Sequence, residues 1–265
     1  MRRVLVALIV GVLLAAALWQ FRQRHQARLA TPQTDQPASS SEWLDHLYSR
    51  NPREVEAATQ EVTRLGAAAL PAIQSTMHDP QAQPERLKAA LKACGILGRT
   101  AAPLAGDVAE LLLEPGLTAE AAIALSHMGP QAFPALRDAT SEQDPTVRRE
   151  ALRSIGKMRD RASLDSDVVV PLLVEHMKDS DEGVRAVAAT YLGIIHDRPE
   201  ESVRALIAGL SDPADEVRRM SAGALGSFDP QLAAPALPAL RKASRDRNPD
   251  VAREAGQAMV KLRQK

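Results

Sequence analysis

Along residues 51–265, apolar side chains recur at helical spacing in blocks separated by short polar joins. Three blocks open alike: Val147-Arg148-Arg149-Glu150-Ala151, Val184-Arg185-Ala186-Val187-Ala188 and Val217-Arg218-Arg219-Met220-Ser221. Each carries a glycine nine residues after its valine, at Gly156, Gly193 and Gly226. The same ruler places unit origins at Glu54, Arg86, Leu117, Val147, Val184, Val217 and Val251, at intervals of 32, 31, 30, 37, 33 and 34 residues. Four residues after the origins stand Ala58, Ala90, Ala121, Ala151, Ala188, Ser221 and Ala255. Eight after stand Val62, Cys94, Leu125, Ile155, Leu192, Leu225 and Met259, and eleven after stand Leu65, Leu97, Met128, Met158, Ile195, Phe228 and Leu262. These offsets share one face of a 3.6-residue helix, so each unit opens with a helix burying one small and two apolar columns.

A second helix follows in each unit. Pro71, Pro103, Pro134, Pro171 and Pro235 mark its first turn, where a missing N–H has no intrahelical acceptor to lose. In the fifth unit Pro199-Glu200-Glu201 takes that place. The joins Asp79-Pro80, Asp144-Pro145, Asp212-Pro213 and Asn248-Pro249 stop one helix and cap the next. Upstream, Ser39-Ser40-Ser41-Glu42 has the form of a capping box opening a short helix with Trp43, Leu44, Leu47 and Tyr48, which would close the array at its amino end. The last unit ends after its first helix.

Residues 1–41 follow a different pattern. Met1-Arg2-Arg3 precedes an uncharged run from Val4 to Phe21, long enough at about 1.5 Å per residue to approach the ~30 Å hydrocarbon core of a bilayer. Trp19 and Phe21 sit at an interfacial position, with Arg22 and Arg24 just beyond. The expectation is a single transmembrane anchor over residues 1–21, with the chain touching the membrane through residues 4–21. The alternative is a cleaved signal peptide with its small-residue site at Ala15-Ala16-Ala17, disfavoured by Arg22, Arg24 and Arg28 downstream. Residues 22–41, rich in Gln, Arg, Thr, Pro and Ser, read as a disordered linker. Arginine counts on the two sides of the span nearly balance, so orientation rests on the habit of short N-terminal spans in bacterial-type chains. That habit puts residues 42–265 on the periplasmic side of an inner membrane, or, if the segment is cleaved, exports them.

Composition sharpens this. Apolar residues are 45% of the chain but aromatics only 3%, which suits thin Ala- and Leu-packed layers better than one large core. Thirty-three basic and 33 acidic side chains cancel, yet residues 1–31 carry five Arg and no acid, residues 32–240 carry 20 basic and 30 acidic, and residues 241–265 carry eight basic and three acidic. An acidic body with so few aromatics argues against nucleic acid as a partner. One cysteine excludes an intramolecular disulfide.

The helix pair of about 32 residues, its small-residue column, the Val-Arg opening and the internal proline resemble the HEAT repeat family in its short bacterial form, over about residues 51–265. The resemblance implies a right-handed α-solenoid of about seven helix pairs. It also implies that Arg148, Arg185 and Arg218, with Asp144, Asp181 and Asp215 just upstream, bond neighbouring repeats together. Units one to three lack the arginine.

Catalytic chemistry is sparse. His25, His46, His78, His127, His176 and His196 lack the two-His helical spacing of a zinc protease, and no His-Glu dipeptide occurs such as the HEAT-like deoxyhypusine hydroxylase uses for iron. Cys94 falls in an apolar column, as a core thiol would. No Gly-rich phosphate loop is present, and no catalytic, cofactor or metal residues are assigned. Second helices line the inner surface in HEAT-type arrays, so the candidate protein-binding residues lie there. Asp107, Glu110 and Glu114 share a helical face opposite Leu104, Val108 and Leu111, with Arg137, Glu175, Lys178, Arg204, Arg241 and Lys242 extending the row. The basic end from Arg241 to Lys265 offers a second surface, for anionic lipid or an acidic partner. The function expected is a membrane-tethered, non-catalytic scaffold for a protein partner. The alternatives are a HEAT-like enzyme of the bilin lyase or DNA-repair type, and a structural, self-associating spacer.

Overall fold

The alternation of apolar columns and polar joins folds as a series of helix pairs. The computed structural model describes residues 41–162 and 164–263. A short helix α1 (Glu42–His46) comes first, followed by α2 (Pro52–Leu65) paired with α3 (Leu70–Met77), α4 (Pro84–Leu97) with α5 (Ala105–Glu110), and α6 (Thr118–His127) with α7 (Phe133–Ala139). Then come α8 (Pro145–Ala162) with α9 (Ser166–His176) and α10 (Glu182–Leu192) with α11 (Pro199–Gly209). The sixth pair sets α12 (Asp215–Leu225) against α13 (Pro230–Ala233) and α14 (Leu237–Ala243), and α15 (Pro249–Lys261) is the first helix of a seventh unit. The 37-residue interval between Val147 and Val184 is taken up largely by α8, the longest of these helices at 18 residues.

Local chemistry sets the boundaries. Asn51, Asp165, Asp181 and Asn248 each accept a first-turn backbone N–H at the start of α2, α9, α10 and α15. The second helices are less regular than the prolines imply. Pro71, Pro134 and Pro199 do sit at the first or second helical position. Pro103 and Pro235 instead lie in 3-10 turns ahead of the α-helix, and Pro171 lies inside α9. Ser39 and Ser40 of the expected capping box lie outside the described residues; Ser41, just before α1, makes no side-chain cap, and its hydroxyl accepts from Arg86 Nη2 at 3.0 Å. α1 is fastened sideways instead, by that bond, by Arg86–Asp45 at 3.2 Å and by Lys92 Nζ donating to the Leu47 carbonyl at 2.8 Å.

First helices pack on first helices from one unit to the next. All seven residues of the small column are buried, as are six of the seven at offset eight, Met259 being half-buried. Five of the seven at offset eleven are buried, Leu65 and Leu97 partly. At about 25 cal/mol per Å² of apolar area, such columns supply the main driving force, and only because a neighbouring unit covers them.

Among the glycines of the first helices, the closest approach to a neighbouring unit is at offset nine. A Cβ added to Gly193 would lie 2.5 Å from Ala224 Cβ and 2.7 Å from Ala224 Cα, and one on Gly226 would lie 3.0 Å from both atoms of Ala258. On Gly156 it would meet the Tyr191 ring at 2.2 Å. In each case offset nine of one unit touches offset seven of the next. Gly193 and Gly226 have ordinary helical φ values of −77° and −73°, so glycine is needed there for space and not for backbone freedom. Gly98, with φ +54° at the end of α4, is the opposite case.

The transmembrane anchor and the linker expected over residues 1–21 and 22–41 lie outside the described residues, apart from Ser41. Among the described residues no helix is long and apolar enough to cross a membrane.

These contacts predict that Gly193→Ala destabilises the array by about 1–3 kcal/mol through overpacking, despite the better helix propensity of alanine. Gly256→Ala, where a Cβ meets nothing within 4 Å, stabilises it by about 0.5–1 kcal/mol. Urea unfolding followed by circular dichroism measures both; equal and same-signed shifts would refute the packing account.

Candidate binding surface at the ends of the second helices

Each unit-opening arginine reaches two inter-unit turns. Arg148 donates from Nε and Nη2 to Asp179 at 2.8 and 2.7 Å, and from Nη1 to the carbonyls of Glu142 and Gln143 at 2.8 and 2.9 Å. Arg185 repeats this with Asp212 at 2.8 and 2.9 Å, and with the carbonyls of Asp179 and Ser180. Arg218 does so with Asp246 at 2.8 and 2.9 Å, and with the carbonyls of Asp212 and Pro213. The acceptor aspartates also take a turn N–H two residues on, from Asp181, Ala214 and Asn248. The guanidinium therefore ties the turn before its helix to the turn that closes its own pair.

This corrects the expected pairing. The upstream carboxylates have other roles: Asp144 and Asp181 accept first-turn N–H groups of α8 and α10. Asp215 does touch Arg218, and accepts from Asn248 Nδ2 at 2.8 Å, but it is an added partner and not the bidentate one. The ladder partners are Asp179, Asp212 and Asp246, about one unit further along. In the third unit Thr118 Oγ1 donates to the Leu112 carbonyl at 2.9 Å, six residues back, which is the spacing Arg148 spans to Glu142. A threonine there keeps half of the arginine's task.

In the last of these pairs the bidentate bond moves the titrations of both partners. Arg218, bonded to Asp246, is held further into its charged form, and the Asp246 carboxyl lies below the usual carboxylate range because Arg218 donates to it. Burial pushes the Cys94 thiol up to about 12, so it is neutral and packed in its apolar column.

Above this ladder lie two open grooves at equivalent places, two units apart. The first, about 680 Å³, runs between the ends of α7 and α9 and brings together Arg137, Glu175 and Lys178 over Arg148 and Asp179. The second, about 770 Å³, runs between the ends of α11 and α14 and holds Arg241 and Lys242 over Arg218 and Asp246. Arg204 is exposed on α11 but lines neither groove.

The acidic trio does not form one helical face. α5 stops at Glu110, Leu111–Leu113 form a 3-10 turn, and Glu114 is extended at ψ 123°. Asp107 faces back to the preceding pair, accepting from Gln74 Nε2 at 2.9 Å and bonding His78 Nε2 at 3.0 Å, with its side chain only 11% exposed. Glu110 is half-buried and Glu114 exposed. Arg245 and Arg247, absent from the row on the second helices but part of the basic end from Arg241 to Lys265, line the second groove from the turn after α14. Their signal was the basic run itself. Among the described residues no three His, Cys, Asp or Glu side chains stand close enough to hold a metal ion.

Stacked helix pairs tied turn to turn by a repeated Arg–Asp bond define an α-solenoid. The model of HEAT repeats matches residues 107–166 and 170–261, and the chain belongs to the HEAT repeat family. Among solved structures, Kap95p in its complex with RanGDP aligns at a TM-score of 0.63 and 13% identity, covering 83% of this chain and 33% of that one. Kap121p aligns at 0.59 and 12%, covering 79% and 28%. These likenesses concern the fold alone, and this chain spans about a third or less of either protein. An engineered protein aligns at 0.45 and 19%, covering 84% and 95%. No curated protein sequence matches the chain.

The ladder predicts a pH signature. The folded Asp246 pKa is below the unfolded value of about 3.9, so its contribution is complete above about pH 4 and is lost as pH falls through the folded value. Asp246→Asn should cost about 1–3 kcal/mol at neutral pH, and the difference from the parent should shrink in urea titrations below about pH 3. A difference constant with pH would contradict the ion-pair account.

Proposed function

We propose that this chain is a non-catalytic scaffold that receives a protein partner along the edge where its second helices end, held at a membrane by residues 4–21. The observation that carries the reading is the recurrence of an open groove at equivalent places, between α7 and α9 and between α11 and α14. In both, exposed charges stand over a floor immobilised by the arginine ladder. A rigid floor under exposed charged side chains lowers the ordering cost of binding at the floor and leaves specificity to the rim.

Cross-linking with an amine-reactive reagent, followed by mass spectrometry of the captured complex, tests the surface. Cross-links to the partner should concentrate at Lys178 and Lys242, which border the grooves, over Lys92 and Lys157 on the first helices. The opposite distribution would move the partner to the other face.

The membrane part is supported by the uncharged run from Val4 to Phe21, flanked by Arg2, Arg3, Arg22 and Arg24. With a reporter fused after Lys265, activity is expected on the periplasmic side and in the membrane fraction of a bacterial host. Cytoplasmic activity would overturn the orientation, and a soluble product would overturn the anchor.

A further inference from the structure

The two grooves share a floor but not a charge. Between α7 and α9, the cations Arg137, Arg148 and Lys178 are outnumbered by four carboxylates, Asp138, Glu142, Glu175 and Asp179. Between α11 and α14, five cations line the groove with only Asp212 and Asp246 against them. Both of these acids are already engaged, Asp212 by Arg185 and Asp246 by Arg218. Arg247 leans toward Asp215 at 3.6 Å. That leaves Arg241, Lys242 and Arg245, all exposed, and among the described residues none has a carboxylate within ion-pair distance.

The groove is more than a patch of charge. Leu210, Pro213, Pro238 and Ala239 supply an apolar wall beneath the cations. A bare phosphate would leave that wall unused. A nucleic-acid strand would find no aromatic ring to stack on, because none lines the groove. A peptide alternating carboxylate and small aliphatic side chains matches both features, in the manner of extended segments read by alternate side chains.

We propose that the groove between α11 and α14 binds an extended acidic segment of a protein partner. Carboxylates pair with Arg241, Lys242 and Arg245, and aliphatic side chains rest on Leu210, Pro238 and Ala239. The proposal rests on the scaffold reading and gives it a partner chemistry. These three cations also attract such a segment from a distance, so association weakens as salt screens them.

The test uses the full chain in neutral detergent and a short fluorescein-labelled peptide alternating Glu and Leu, read by anisotropy. Its counterpart with Gln for Glu is the neutral control. The acidic peptide should bind at low salt and the neutral one at least about tenfold more weakly. The variant Arg241→Ala/Lys242→Ala/Arg245→Ala should lose about tenfold or more in affinity, on the basis that each exposed pair contributes modestly. Arg137→Ala/Lys178→Ala, in the other groove, should stay within about twofold. The charge-keeping Arg241→Lys/Arg245→Lys should bind within about threefold of the parent, which guards against a fold defect in the triple variant. Equal binding of the two peptides, or a triple variant that binds like the parent, would overturn the proposal. So would displacement by glycerophosphoglycerol or a single-stranded oligonucleotide at lower concentration than the acidic peptide itself; the first result would assign the groove to lipid headgroups, the second to nucleic acid. If a partner still cross-links at Lys242 while the triple variant is indifferent to the acidic peptide, the scaffold reading stands and this chemistry falls.

Discussion

The fold depends on how closely one first helix can approach the next. No pair in this array can bury its own apolar face, so the free energy of folding comes from stacking, and stacking is limited by the bulkiest side chain at the contact. Glycine at offset nine, against alanine at offset seven, lets α10 meet α12 and α12 meet α15 backbone to backbone. The buried alanine column and the buried leucine, valine and isoleucine column follow from that spacing. It also explains why three aromatic residues in a hundred suffice: the layers are too thin to need more. Where a large ring does occur, as Tyr191 at offset seven, the facing residue is Gly156.

Apolar stacking fixes distance but not register, and the arginine ladder supplies register. A planar guanidinium bonded to one carboxylate on two atoms, and to two carbonyls on a third, allows little sliding or rotation between units. These arginines are largely buried, which would be costly for a lone cation; the carboxylate and the turn carbonyls together satisfy it. The same bonds hold the turns at the ends of the second helices, so the grooves between those ends have a fixed floor. The architecture and the proposed binding surface thus draw on one set of contacts, and the groove-to-groove difference in charge is free to change without disturbing the stack.

Much of this was legible in the chain. The seven-unit ruler, the small and apolar columns, the core position of Cys94 and the glycines at offset nine are consequences of helix periodicity, which one strand of letters contains in full. The HEAT family assignment follows from them. The candidate surface was legible only in part. Arg137, Glu175 and Lys178, chosen as one row on the second helices, do meet in one groove, and Arg241 with Lys242 in another. Asp107, Glu110 and Glu114 failed as a face because a 3-10 turn changes the angle per residue from Leu111 onward, and periodicity assumes that angle constant.

What the sequence determined by itself is what helix periodicity sets: where the first helices run, which side each buries, and how often the pattern repeats. Only the tertiary structure decided which aspartate each arginine holds. Asp179 and Asp181 lie two residues apart in one turn, and a side chain arriving from 31 residues away selects the first because the second already caps α10. It also decided that Asp212 and Asp246 are consumed inside the ladder, so that the groove beside them is positive. Charges can be counted along a chain, but which of them remain unpaired depends on long-range contacts that only folding creates.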